Sequence, residues 1–231
     1  EIGGAISALR DANCQTLVFA GAVKRPELSA LRLDELGQAH LPRLAGAAQL
    51  GDDALLSSLV DIFAGEGFDV VGAQTVCPDL LCAAGPIAGP VPDEQARSDL
   101  SKALRIAQLI GAEDIGQGCV VAEGLVLALE AQEGTDGMLR RLANLPMAVR
   151  GTPEQRRGVL VKCAKPEQDR RIDLPVIGPR TVETAAQAGL LGIGLEAGNC
   201  LIVQREAVEE MAQKHGLFVM GLGHADSADA S

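Results

Sequence analysis

The chain has no tryptophan and no tyrosine, and four phenylalanines are its only aromatic residues. Single-stranded nucleic acid is held by stacking bases on aromatic faces, so that class of function is excluded. Basic residues are also in short supply: 20 lysines and arginines face 31 acids, a net charge of −11. That is the wrong sign for gripping DNA or an anionic bilayer by bulk charge. A zinc site is missing too, because the six cysteines contain no C-x-x-C pair and the three histidines, His40, His215 and His224, are scattered. The cysteines read as reduced thiols of a cytosolic protein. Long apolar runs are absent as well: the best, residues 119–131, is broken by Glu123 and Glu130 and falls short of the roughly 18 to 20 residues a membrane helix needs.

What is present is a globular composition, 47% apolar with 27 glycines, on 231 residues. That is enough chain for one large domain or two small ones. Apolar residues at Ile2, Ala5, Ile6 and Leu9 have the spacing of one helical face, and residues 17–20 form a short apolar run stopped by Gly21. The chain opens inside that helical pattern, so a natural start is expected upstream of Glu1. Asp52 is placed to cap a second helix with Leu55, Leu56, Leu59, Val60 and Phe63 inward, after which residues 68–71 read as a strand. Three prolines in AGPIAGPVP, residues 84–92, argue against a helix or central strand and mark a boundary. The expected organisation is an N-terminal α/β domain over residues 1–82, Rossmann-like and truncated at its start, a linker over 83–97, and a C-terminal α/β catalytic domain over 98–231, with a substrate cleft between the domains. In the second half, Ser98 is placed to cap a helix ending near Gly111. Strands are expected at 119–122, 159–162, 193–195 and 217–220, with a helix over 205–215 closed by Gly216. Such alternation points to a parallel sheet.

Charge is unevenly placed. Ten of the 20 bases fall between Arg140 and Arg180 beside four acids, whereas residues 113–136 hold six acids and no base. The acidic block suits a metal and the basic one phosphate oxygens, although charge runs are more often solvated faces. In EGTDG, Thr135 can cap a helix whose N-terminus favours phosphate; Asp136 in its first turn is equally what dipole complementation alone produces. The G-x-G-x-x-A match at Gly192, Gly194 and Ala197 runs into a strand instead of opening a helix, so it fails as a dinucleotide fingerprint. Gly116-Gln117-Gly118 reads as a turn whose glutamine is able to meet a base or ribose edge.

The ordered text DIGQGCVVAEGLVLALEAQEGTDGMLRR at 114–141 and GVLVKCAKPEQDRRIDLPVIGPRTVE at 158–183 resembles the LpxI-type UDP-2,3-diacylglucosamine diphosphatases of lipid A synthesis. The likeness extends through LVFAGAVKRP at 17–26, GDDALLSSLVDIFAGEGFDVVGA at 51–73 and AGLLGIGLEAG at 188–198. It implies a two-domain, Mg²⁺-dependent cytoplasmic hydrolase, peripheral to the inner membrane, that splits a UDP-sugar lipid into UMP and 2,3-diacylglucosamine 1-phosphate (lipid X). It also implies a glycine-rich strand and loop upstream of this chain. Asp173, in the DLP motif, resembles the family's essential acid; read from its neighbours alone, it is equally a partner for Arg170 or Arg171.

The catalytic expectation is therefore Asp173, with Asp173, Asp136 and Glu133 as metal candidates. Gly21, Arg25, Gln117, Glu123, Thr135, Asp136, Lys162, Lys165 and Gln168 are the substrate-binding candidates. Partners implied are the lipid substrate and product and a transient inner-membrane contact, with a homodimer compatible and nucleic acid excluded. The rival readings are a non-catalytic nucleotide-sugar or lipid carrier, and an oxidoreductase already weakened by its failed fingerprint.

Overall fold

A computed structural model describes residues 2–21, 33–166 and 168–223. The chain divides into two units, Glu1–Pro78 with Gln168–Asp173, and Asp79–Glu167 with Leu174–Ser231.

The N-terminal unit contains α1 (Ile2–Asp11), β1 (Thr16–Val18), α2 (Glu35–Leu50), α3 (Asp52–Gly65), β2 (Asp69–Val71) and the single turn α4 (Ala73–Val76). β1 and β2 pair in parallel, Leu17 opposite Val70. Ile6, Val60, Phe63, Phe68 and Val70 form its core, with Phe19, Leu59 and Ile172 packed against them. Asp34 caps α2, its side chain accepting from the Gly37 N–H at 2.8 Å, and that bond holds the carboxyl below its ordinary range. Gly51, not Asp52, stands at the cap position of α3; Asp52 is its first helical residue.

The C-terminal unit is built on a six-stranded sheet among the described residues, in the order β3 (Gly85–Ala88), β10 (Phe218–Leu222), β8 (Gly192–Glu196), β6 (Val159–Lys162), β4 (Gly118–Ala122), β5 (Leu125–Leu129). The sheet is mixed, which corrects the parallel expectation. β6, β8 and β10 run together, while β3, β4 and β5 pair antiparallel to their neighbours. A tight turn at Glu123 and Gly124, with φ of 49° and 77°, joins β4 to β5 without a crossover helix.

Both faces of the sheet are covered. α5 (Glu94–Ala112) packs on the face bearing Cys119, Val121, Val159, Val161 and Phe218. The opposite face, with Val120, Leu160, Ile193, Leu195 and Val219, shares its core with α6 (Gly134–Leu142), α7 (Pro179–Gln187) and α8 (Arg205–His215). Burial on two sides is why these strands read as nearly unbroken apolar runs. A short parallel pair, β7 (Val176–Ile177) with β9 (Leu201–Ile202), stands apart from the main sheet.

Three sequence expectations change here. Residues 83–97 are not a linker. β3 lies at the sheet edge, where Pro86 is tolerated because only one side pairs, and α5 begins at Glu94. The cap of α5 is Asp93, accepting from the Ala96 N–H at 2.8 Å, so Ser98 sits inside the helix. The G-x-G of residues 192–194 belongs to a central strand: a Cβ on Gly194 would stand 2.6 Å from Leu100 Cδ2, so its glycine serves close helix-on-sheet approach.

All six cysteines are free thiols. Cys14 and Cys77 are exposed, whereas desolvation pushes the thiols of Cys82 to about 11 and of Cys119 and Cys163 to about 12, and raises that of Cys200 as well. The thiolate is the reactive form, so a disulfide reagent is expected to titrate two thiols quickly in the native protein and all six after denaturation. Rapid reaction of a third thiol under native conditions contradicts this burial.

Candidate active site

Asp173 is carried by the segment Gln168–Asp173, which belongs to the N-terminal unit although it comes late in the chain. Three local features shape that segment. Asp169 O accepts from the N–H groups of Ile172 and Asp173, closing a turn. Arg171 grips the Asp169 carboxylate with Nε and a terminal nitrogen, and this bond holds the Asp169 carboxyl below its ordinary range. Ile172 joins the apolar core, and Gln74 Nε2 donates to Arg170 O at 2.9 Å. With Arg171 committed to Asp169, the carboxylate of Asp173 is left to face a cavity.

That cavity, about 300 Å³, is lined by Phe19, Ala20, Gly21, Leu56, Leu59, Val60, Ile172 and Asp173. It brings together two of the residues singled out in the sequence, Gly21 and Asp173. Gly21 ends the segment after β1 with φ of 118°, a backbone state that side chains other than hydrogen rarely adopt. The buried Gln168 donates through Nε2 to Asp173 Oδ2, which fixes the carboxylate and leaves Oδ1 with no hydrogen bond or ion pair among the described residues. Arg25 lies outside the described residues.

The C-terminal unit gathers a second group. The carboxyl ends of the parallel strands β6, β8 and β10 lie along one edge of the sheet, and the antiparallel neighbours bring the start of β4 and the end of β5 to that edge. Open α/β sheets bind ligands there. The edge presents Lys162, buried at 5% exposure, and Glu130, also 5% exposed, with Thr135 Oγ1 donating to Glu130 Oε2 at 3.0 Å. Thr135 therefore does not cap α6, whose cap position is held by Glu133 without a side-chain capping bond. Lys165 reaches Asp114 Oδ1 at 2.7 Å, and Glu196 Oε2 accepts from the Ala164 N–H at 3.0 Å. Gln117 Oε1 is a buried acceptor without a donor among the described residues. An apolar cavity of about 420 Å³ also opens on this edge, walled by Cys82, Ala84, Leu104, Gln108, Glu196 and Leu222.

The remaining candidates are placed elsewhere. Glu123 lies at the opposite edge of the sheet, in the β4–β5 turn, where its side chain meets Arg157 at 3.6 Å. Glu133 is paired with Arg141 and Asp136 with Arg180. A hydrogen bond from its own backbone N–H, followed by the Arg141 guanidinium, holds the Glu133 carboxyl below its ordinary range. Sequence reasoning passed over Glu130 and Glu196. The signal for Glu130 was an acid just after an apolar strand and four residues before a glycine-initiated helix.

Among the described residues no group of three or more His, Cys, Asp or Glu side chains is disposed to hold a metal ion. The donor chemistry nevertheless suits magnesium at Asp173, because Mg²⁺ is commonly held by one or two carboxylates, water and substrate phosphates, and Oδ1 is unclaimed among the described residues. Among the same residues no helix is long and apolar enough to cross a membrane.

A two-unit α/β protein with a glutamine-fixed carboxylate on a cavity wall is the class the coordinates define, and comparison gives it a family. Residues 1–80 match the LpxI N-terminal domain and residues 83–220 the LpxI C-terminal domain; the chain belongs to the LpxI family. Among curated proteins it is similar to the UDP-2,3-diacylglucosamine pyrophosphatase LpxI of Caulobacter vibrioides, with 51% identity over 222 residues, covering 96% of this chain and 79% of that relative.

Proposed function

We propose that this protein hydrolyses the diphosphate bridge of UDP-2,3-diacylglucosamine to UMP and 2,3-diacylglucosamine 1-phosphate in lipid A biosynthesis, acting in the cytoplasm at the inner-membrane surface. The observation that carries this reading is the 51% identity, sustained over 96% of the chain, with a pyrophosphatase of that substrate. Asp173, with one oxygen fixed by Gln168 and the other unclaimed among the described residues, supports it chemically.

A diphosphate repels nucleophiles because every non-bridging oxygen carries negative charge, so catalysis consists of neutralising that charge and aligning water in line with the leaving phosphate. Asp173 Oδ1 holds and orients the attacking water, and Gln168 keeps the carboxylate from rotating. Lys162 and Lys165 set positive charge against phosphate oxygens. Magnesium, when bound at Asp173, supplies further charge neutralisation on the diphosphate.

The test is release of UMP from UDP-2,3-diacylglucosamine in mixed micelles, with Mg²⁺ and with EDTA. The expected result is equimolar UMP and sugar phosphate with Mg²⁺, and a rate lower by about a hundredfold or more in EDTA. Tight binding of the substrate without any UMP overturns the reading and makes the protein a carrier.

A further inference from the structure

Gln168 fixes the tip of Asp173, but the backbone beneath that carboxylate is held by other residues. Ile172 sits in the apolar core of the N-terminal unit, and Gln74 Nε2 donates to Arg170 O. Apolar packing is non-directional, so Ile172 sets the depth of the turn and leaves it free to rock. The directional restraint comes from Arg171. Its backbone N–H donates to Asp169 Oδ1 at 3.0 Å, its Nε to the same oxygen at 2.9 Å, and a terminal nitrogen to Oδ2 at 2.6 Å. Asp169 O accepts in turn from the N–H groups of Ile172 and Asp173, at 3.0 and 3.1 Å. A chain of hydrogen bonds thus runs from the Arg171 guanidinium through Asp169 to the backbone of Asp173. The Asp169 bond foremost, then the charges of Asp61 on α3 and Asp69 at the start of β2, favours the charged guanidinium. α3 also supplies Leu56, Leu59 and Val60 to the cavity that Asp173 lines. Arg171 therefore refers the acid to the wall it works against.

Global stability is not what this arrangement supplies. The Arg171 side chain is 45% exposed and that of Asp169 16%, and ion pairs this open add little to folding. Placement is another matter, because a displacement of about 1 Å at a reacting group costs about a hundredfold in rate. Two parallel N–H bonds from a planar guanidinium fix an angle as well as a distance, which a lysine ammonium does not. We propose that Arg171, acting through Asp169, is a positioning residue that holds the backbone of Asp173 in its working orientation. This role rests on the hydrolase reading for the function of Asp173, and it spends the Arg171 cation on the protein's own turn instead of on substrate phosphate.

The full chain is compared with Arg171→Lys, Arg171→Met, Asp169→Ala and the double variant Arg171→Met with Asp169→Ala. Each single variant is expected to lower kcat for UMP release about tenfold with KM within about twofold of wild type. The double variant is expected to be no slower than the slower single one, because the two side chains act as a unit. Amide hydrogen exchange at Ile172 and Asp173 is expected to quicken about tenfold in Arg171→Met, while the amides of β1 and β2 keep their wild-type rates. The proposal is overturned if Arg171→Lys turns over at the wild-type rate, if KM rises while kcat holds, if the two substitutions lower kcat independently, or if exchange at both amides is unchanged. Circular dichroism establishes folding, and if Asp169→Ala does not fold, the Arg171 variants decide. Amide exchange needs no turnover, so a wild-type protein that releases no UMP defeats the hydrolase reading while the exchange rates still decide whether Arg171 holds this turn.

Discussion

Asp173→Asn is expected to lower kcat for UMP release by about a thousandfold, with the melting temperature within a few degrees of wild type. Asparagine keeps the shape and still accepts from Gln168 Nε2, so the turn closed by Asp169 and the packing of Ile172 are preserved. What is lost is the negative charge on the cavity wall, the only carboxylate lining that cavity among the described residues. Asp173→Glu keeps the charge but moves it by one methylene, and near-attack geometry tolerates displacements of well under 1 Å, so it is expected to recover only a small part of the rate. Side-by-side turnover and calorimetric melting check both statements. Turnover of Asp173→Asn within about tenfold of wild type removes Asp173 from the chemistry.

The largest effect on stability is expected at Asp99. Its carboxylate, 2% exposed, accepts the N–H groups of Glu123 and Gly124 at 2.8 Å each and the amide of Gln95 at 3.1 Å. Glu123 has a left-handed backbone that a side chain resists, so the carboxylate offsets turn strain as well as satisfying donors. Asp99→Ala removes all three bonds at once and is expected to cost about 3 kcal/mol, roughly 6 to 12 °C in melting temperature for a protein of this size. Asp99→Asn retains one acceptor oxygen and is expected to lose less than half as much. Thermal denaturation of both variants checks the order, and equal melting for Asp99→Ala and wild type contradicts it.

Where the physics is local, the sequence was a good guide. α8 was legible to the residue, because its apolar spacing ends at Gly216, whose φ of 65° closes the helix. β6 was equally clear as a β-branched run between a glycine and a loop. α2 was not read at all, since Gly37, Pro42 and Gly46 weaken the helical pattern and the core contact of Leu44 is set by tertiary packing. The prolines around β3 read as a boundary, for nothing local distinguishes an edge strand from a linker. β5 is absent from the sequence expectation, and with it the antiparallel direction of β4, because a hairpin built on Glu123-Gly124 lacks the usual asparagine or aspartate signal. At the site, the importance of Asp173 was legible through family likeness, but its membership of the N-terminal unit depends on contacts about a hundred residues away along the chain, such as Gln74 with Arg170.

That late-sequence excursion has an evolutionary consequence. The LpxI C-terminal domain as a sequence unit spans residues 83–220, yet it contains the six residues that complete the other body. Exchanging the first eighty residues between relatives would therefore hand the acid to a foreign wall, and Leu59, Val60 and Ile172 must be inherited as a set for the graft to seat. Modular shuffling of the two halves is constrained by a short peptide that neither half owns alone.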